Sequence, residues 1–125
     1  MKILIIEDDL NISTLFKDSL LLYNLEFKIV NNGADAYKIL YSKEYFDYII
    51  TNIGLPDENG IEIIKYIKHN FDSKIIIYTR AKIKSYKNKY KGLYDFIFYK
   101  ANNTPLDIIE SILKKTKNGN KKIYK

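Results

Sequence analysis

The chain contains no cysteine, no tryptophan, one histidine (His69), two prolines and five glycines. Without cysteine there is no disulfide scaffold, no Cys-ligated zinc, no iron–sulfur cluster and no thiolate nucleophile. A lone histidine leaves no multi-His metal site, and a Ser-His-Asp triad would rest on His69 alone. No run of about 18 apolar residues occurs, so no membrane span is expected. The Ile3–Ile6 run is too short for the apolar region of a secretory signal, and it leads into Glu7-Asp8-Asp9, not a cleavage site. A cytoplasmic protein is expected.

The 125 residues are 46% hydrophobic and 29% charged, enough for one domain with a core of its own. The net charge of +6 is local. Lys82, Lys84, Lys87, Lys89 and Lys91 form one group, and Lys114, Lys115, Lys117, Lys121, Lys122 and Lys125 another. These eleven lysines exceed the net charge, so the rest of the domain is acidic. A basic stripe attracts nucleic acid or an acidic protein. AT-rich codon usage, which loads the chain with Lys, Ile, Asn and Tyr, explains the tail equally well.

Short apolar runs alternate with segments of helical period. Strands are predicted at Lys2–Ile6, Glu26–Asn31, Tyr48–Thr51, Lys74–Thr79 and Tyr94–Tyr99. Helices are predicted at Asn11–Asn24, with Ile12, Leu15, Phe16, Ser19, Leu20 and Tyr23 inward, and at Ala34–Ser42, Gly60–Asn70 and Ala81–Lys91. A last helix runs to about Lys117, capped by Asn103 or Thr104 with Pro105 in its first turn. Asn52–Gly60 holds two Gly, one Pro and two Asn and reads as a loop. Near-continuous apolar strands followed by helices predict a five-stranded parallel sheet covered on both faces: a flavodoxin-like, doubly wound (βα)5 α/β fold. Residues 1–117 form the domain and 118–125 a basic tail or the start of a linker.

This fold brings the carboxyl ends of the strands to one crevice. Glu7, Asp8 and Asp9 follow the first strand, Asn52 the third, Thr79 the fourth, and Tyr99-Lys100 the fifth. Crowded acids there suit a divalent hard cation, and a hydroxyl with an ammonium suits a phosphoryl group.

With these residues in place, the sequence resembles the receiver domain of bacterial two-component response regulators, from residue 2 to about 117. The resemblance rests on Ile3-Leu4-Ile5-Ile6-Glu7-Asp8-Asp9, on Phe46 through Gly60 with its Leu55-Pro56-Asp57 and Asn59-Gly60, and on Ile75–Thr79. It implies a signalling module, not an enzyme. Glu7 and Asp8 match the acid pair that binds Mg²⁺, Gly54 the backbone-carbonyl ligand, Thr79 the phosphate-binding hydroxyl and Phe96 the switching aromatic. Asn52 stands where the family has its phosphoacceptor Asp. A neutral amide carries no nucleophilic oxyanion, and with one charge missing Mg²⁺ should bind weakly or not at all. Counted without gaps from Gly92 to Leu106, Tyr99 falls where the family has its pocket Lys and Lys100 where it has Pro. One inserted residue restores Lys100. Adjacent strand residues face opposite ways, and the ungapped count favours Tyr99 in the pocket. Arg80 replaces a small residue at the rim.

Two altered positions that both remove phosphoryl chemistry imply an atypical, phosphorylation-independent receiver. Its output face would be the Ala81–Lys91 helix with Ile83, Tyr86 and Tyr90, the fifth strand with Phe96, and the last helix. That face would form a homodimer or dock a partner protein, such as a histidine kinase or an effector domain that regulates transcription. A second reading keeps the switch working, through Asp8 or Asp9 or with Asn52 standing where an Asp was altered. A third gives the Lys-rich helix and tail direct, weak contact with nucleic acid, Tyr86 and Tyr90 stacking on bases.

Overall fold

The computed structural model describes residues 1–80 and 90–119. The elements run β1 (Lys2–Ile6), α1 (Leu10–Leu22), β2 (Glu26–Val30), α2 (Gly33–Tyr41), β3 (Tyr48–Thr51), α3 (Gly60–Asn70), β4 (Lys74–Thr79), β5 (Phe96–Tyr99) and α4 (Pro105–Gly119). The strands form one parallel sheet in the order β2-β1-β3-β4-β5. This is the flavodoxin-like α/β arrangement expected from the apolar strand runs. Of the predicted Ala81–Lys91 helix, residues 81–89, with Ile83 and Tyr86, lie outside the described residues. Tyr90 and Lys91 belong to a turn in which Leu93 N–H donates to the Tyr90 carbonyl at 3.0 Å, and the fifth strand starts two residues later than predicted.

Alternation along the strands divides the core in two. Leu4, Ile6, Ile49, Ile75 and Ile77 point to one face, where they pack with Leu40 of α2 and Ile63, Ile64 and Ile67 of α3. Ile3, Ile5, Ile50, Ile76 and Tyr78 point to the other, against Phe16 and Leu20 of α1 and Ile108, Ile109 and Ile112 of α4. Each wholly buried Ile or Leu side chain contributes about 1.5–3 kcal/mol relative to leaving it in water. β2 is an edge strand, and its Glu26 and Lys28 stay exposed while Phe27 and Ile29 pack inward.

The inward face of α1 differs from the predicted one. Ser13, Phe16, Ser19 and Leu20 are buried, while Leu15 and Tyr23 are exposed. The two serines close-pack because each hydroxyl donates to a backbone carbonyl, Ser13 to Glu7 at 3.1 Å and Ser19 to Leu15 at 2.8 Å. Satisfying their polar atoms internally lets these small residues go inside, while Leu10, Leu15, Leu21 and Leu22 stay exposed.

The helix starts are set by side-chain caps. Asp9 accepts from Asn11 N–H and Ile12 N–H at the start of α1, Asn32 from Asp35 N–H at α2, and Asn59 from Ile61 N–H at α3. At α4, Thr104 Oγ1 accepts from Asp107 N–H at 3.1 Å while Asp107 Oδ2 accepts from Thr104 N–H at 2.8 Å, a reciprocal capping box.

Candidate functional site

The carboxyl ends of β1, β3, β4 and β5 line a cleft of about 420 Å³ bounded by Asp8, Asp9, Asn52, Ile53, Gly54, Thr79, Arg80 and Lys100. Glu7, 1% exposed, lies beneath it, its carboxylate in contact with the lining residues Lys100 and Asn52.

Glu7 is fixed by its backbone. Its N–H donates to the Val30 carbonyl at 3.0 Å, and its carbonyl accepts from Ser13 Oγ at 3.1 Å and Asn31 Nδ2 at 2.8 Å. Its carboxylate meets Lys100 Nζ at 2.7 Å on Oε1 and Asp9 N–H at 3.1 Å on Oε2. Burial pushes the Glu7 carboxyl above its ordinary 4.5, against the pull of Lys100 and of the Asp9 N–H. Asp9 goes the other way. The Ile12 N–H, then the Asn11 N–H and the Arg80 guanidinium, hold its carboxyl below the usual 3.8. Arg80 reaches Asp9 Oδ2 at 3.1 Å across the mouth of the cleft.

Asn52 leaves the end of β3 with its N–H bonded to the Ile6 carbonyl at 3.1 Å. Its Nδ2 donates to Asp8 Oδ1 at 3.0 Å, and its Oδ1 accepts from Gly54 N–H at 3.4 Å. The predicted cation ligands Glu7, Asp8, Asn52 and Gly54 are therefore neighbours. What the acids converge on is an N–H₂ group and not a fourth oxygen. Among the described residues no three His, Cys, Asp or Glu side chains are grouped so as to hold a metal ion. As arranged, the set does not fit Mg²⁺ unless the Asn52 amide gives way.

The structure corrects the expectation for Tyr99 and Lys100. Lys100 lines the cleft and Tyr99 does not. Tyr99 pairs with Thr79 at the end of the β4–β5 ladder, and Lys100 N–H then donates to the Thr79 carbonyl at 2.9 Å, extending the ladder by one residue. Alternation puts Lys100 on the side of Phe98 and Tyr78, its Nζ 5.4 Å from the Tyr78 ring centroid and directed at Glu7. In the turn that follows, Asn102 N–H and Asn103 N–H both donate to the Tyr99 carbonyl at 3.0 Å.

The same alternation corrects Phe96. Its ring packs on the α1/α4 side of the sheet, with Lys115 Nζ 4.6 Å from its centroid. Ile97 is the β5 residue on the side of Ile75 and Ile77, the side to which alternation also assigns Thr79. Tyr90, half-buried, packs against that cluster. Thr79 itself is buried at the cleft wall.

Asp57, part of the Leu55-Pro56-Asp57 motif, has a role that the sequence does not show. Its carboxylate accepts from Gly33 N–H at 2.7 Å and Ala34 N–H at 3.0 Å, so a residue of the β3–α3 loop caps α2. Those two N–H groups hold the Asp57 carboxyl below its ordinary 3.8. Close approach explains both flanking glycines: a Cβ on Gly33 would lie 2.3 Å from Glu58 Cβ, and one on Gly60 2.2 Å from the Ile53 carbonyl oxygen. The loop that carries Gly54 is thereby held at both ends. Asp57 sits in the Leu-Pro-Asp run, but nothing local in that run points to a helix 24 residues upstream.

Comparison with known proteins agrees with this geometry. The family model described as "Response regulator receiver domain" matches residues 3–109. The "Probable transcriptional regulator ycf29" of Pyropia yezoensis is 33% identical over 108 residues, covering 85% of this chain and 47% of that protein. The "Response regulator ArlR" of Staphylococcus saprophyticus is 36% identical over 92 residues, 74% of this chain and 40% of that one. Among solved structures, the response regulator TrrA from Thermotoga maritima, in complex with Mg²⁺-BeF, superposes with a TM-score of 0.74 at 28% identity, covering 91% of this chain and 96% of that one. The chain spans less than half the length of these two curated relatives.

Proposed function

This chain belongs to the response regulator receiver domain family of two-component signalling, and from that premise we propose that it is an atypical member whose switch is set without phosphorylation. The observation that carries the reading is Asn52. At the end of β3, beside Asp8 and Gly54 and facing a cleft lined by Thr79 and Lys100, it offers a carboxamide where phosphoryl transfer needs a carboxylate oxyanion. Of the neighbouring carboxylates, Glu7 is engaged by Lys100 and Asp9 by Arg80 and the α1 N-terminus, and Asp8 gives its Oδ1 to the Asn52 amide.

Output then comes from protein contacts. The face formed by β5, α4 and the segment before β5 would bind a second copy or a partner protein. Relatives named as transcriptional regulators, of which this chain covers less than half, support an effector module as the downstream element. Mg²⁺ would have to rely on Glu7, Asp8 and the Gly54 carbonyl, and would supply positive charge to the cleft.

Intact-mass analysis after incubation with acetyl phosphate and Mg²⁺ tests the reading. The expected result is no phosphoryl adduct on the wild type and a labile adduct on Asn52→Asp. An adduct on the wild type, mapped to Asp8 or Asp9, would establish the phosphorylated switch instead.

A further inference from the structure

Asn52 Nδ2 stands at the focus of three oxygens: Asp8 Oδ1 at 3.0 Å, the Gly54 carbonyl at 3.4 Å and Glu7 Oε2 at 3.5 Å. A primary amide nitrogen carries two hydrogens and no lone pair for metal, and here both hydrogens are directed among acceptors. The oxygens of Glu7 and Asp9 are likewise engaged. Lys100 takes Glu7 Oε1, Asp9 N–H shares Glu7 Oε2, Arg80 takes Asp9 Oδ2, and the first turn of α1 takes Asp9 Oδ1. Among the described residues no buried side-chain nitrogen or oxygen lacks a partner.

Adjacent carboxylates at the floor and wall of a cleft repel, and something positive must offset them. We propose that the Asn52 carboxamide is a built-in surrogate for the cation: its N–H₂ fills the oxygen cage and holds the cleft in one arrangement with no ion bound. This rests on the reading of the cleft as a receiver pocket without its acceptor carboxylate, and it assigns the amide a positive role there. A cation entering the cage has to displace the amide hydrogens from Asp8 and Glu7, so ion binding competes with hydrogen bonds that are already made. A carboxylate at position 52 cannot play this part, since it brings no N–H and adds a third negative charge. Alanine brings neither donor nor charge.

The test compares thermal unfolding of the wild type, Asn52→Asp and Asn52→Ala in EDTA and in millimolar MgCl₂. The wild-type Tm is expected to be the same in both. Asn52→Asp should melt several degrees lower in EDTA and recover with Mg²⁺ saturably, at concentrations at least about tenfold below any response of the wild type, because an added carboxylate strengthens a hard-cation site. Asn52→Ala should lose Tm in EDTA and regain part of it with Mg²⁺. A saturable Mg²⁺-dependent rise of the wild-type Tm would overturn the surrogate role, as would an Asn52→Asp protein as stable as wild type in EDTA. Should either variant fail to fold, the wild type still decides. Its Asn52 side-chain amide protons should be protected from solvent exchange in EDTA and unmoved by Mg²⁺, and solvent-averaged or Mg²⁺-shifted resonances would count against the proposal. The mass measurement above is separate: an adduct sinks the reading of the pocket, whereas a Mg²⁺ response without an adduct sinks the surrogate alone.

Discussion

Lys100 and Glu7 meet at 2.7 Å across the floor of the cleft, with side chains 8% and 2% exposed. One comes from the turn after β5, the other from the end of β1, and between them they tie the last strand to a central one. A buried pair is costly to form and more costly to break, because removing one partner strands the other's charge away from water.

Lys100→Met is therefore expected to lower the unfolding free energy by about 3–5 kcal/mol, measured by urea denaturation. The double variant Glu7→Met/Lys100→Met should recover most of that loss, since both charges leave together. A double variant no better than the single would show that the methionines fail to pack where the pair stood.

The pH dependence follows from opposed shifts. Glu7 is raised above 4.5, so its contribution to stability is full below that value and is lost as pH rises through its folded-state pKa. Asp9, Glu44 and Asp57 are lowered, Glu44 by its bonds to Lys2 and Lys28, and theirs is present above the ordinary carboxylate values and lost as pH falls. Wild type minus Glu7→Gln, followed by denaturation from pH 4 upward, isolates the first of these. The difference should shift against the wild type as pH rises, and a flat difference would mean Glu7 titrates as an ordinary carboxyl.

Two glycines of one loop should respond in opposite ways. Gly60→Ala drives a methyl into the Ile53 carbonyl, which is backbone and has nowhere to go, at a cost of about 3 kcal/mol or more. Gly54→Ala points into open space, with nothing within 4 Å, and should stay within about 0.5 kcal/mol of wild type. Thermal melts of the two variants side by side are sufficient.

Asp57→Ala removes the acceptor for Gly33 N–H and Ala34 N–H and frees the loop from α2. A Tm lower by a few degrees is expected, together with amide-exchange protection lost at residues 33 and 34 but kept at the start of α1. Asp57→Asn, which keeps one acceptor oxygen, should restore part of it.

The sheet was legible because burial on both faces demands unbroken apolar runs, and Ile3–Ile6 and Ile75–Ile77 are such runs. The helices were legible in extent but not always in face. α1 turns Ser13 inward, as well as the expected Ser19, because its hydroxyl is satisfied by the Glu7 carbonyl, and hydrophobic periodicity has no way to weigh that bond. At the cleft, the residues that sit on strand ends could be placed by counting. Lys100 could not, because one residue more or less between Gly92 and the strand end reverses which side chain faces inward. Asp57 was invisible for another reason: its partners are backbone N–H groups of a distant helix, and backbone groups leave no trace in residue identity.

The topology also has a kinetic side. Glu7 belongs to the first strand and Lys100 to the end of the last, so their contact closes almost the longest loop in the domain, and that closure entropy must be met before the pair forms. β1, flanked by β2 and β3, assembles from nearer segments. The ion pair is thus expected among the last native contacts to form and among the first to break in unfolding. Weakening it should leave the refolding rate nearly untouched and accelerate unfolding, so that the pair acts as a brake on escape from the native state.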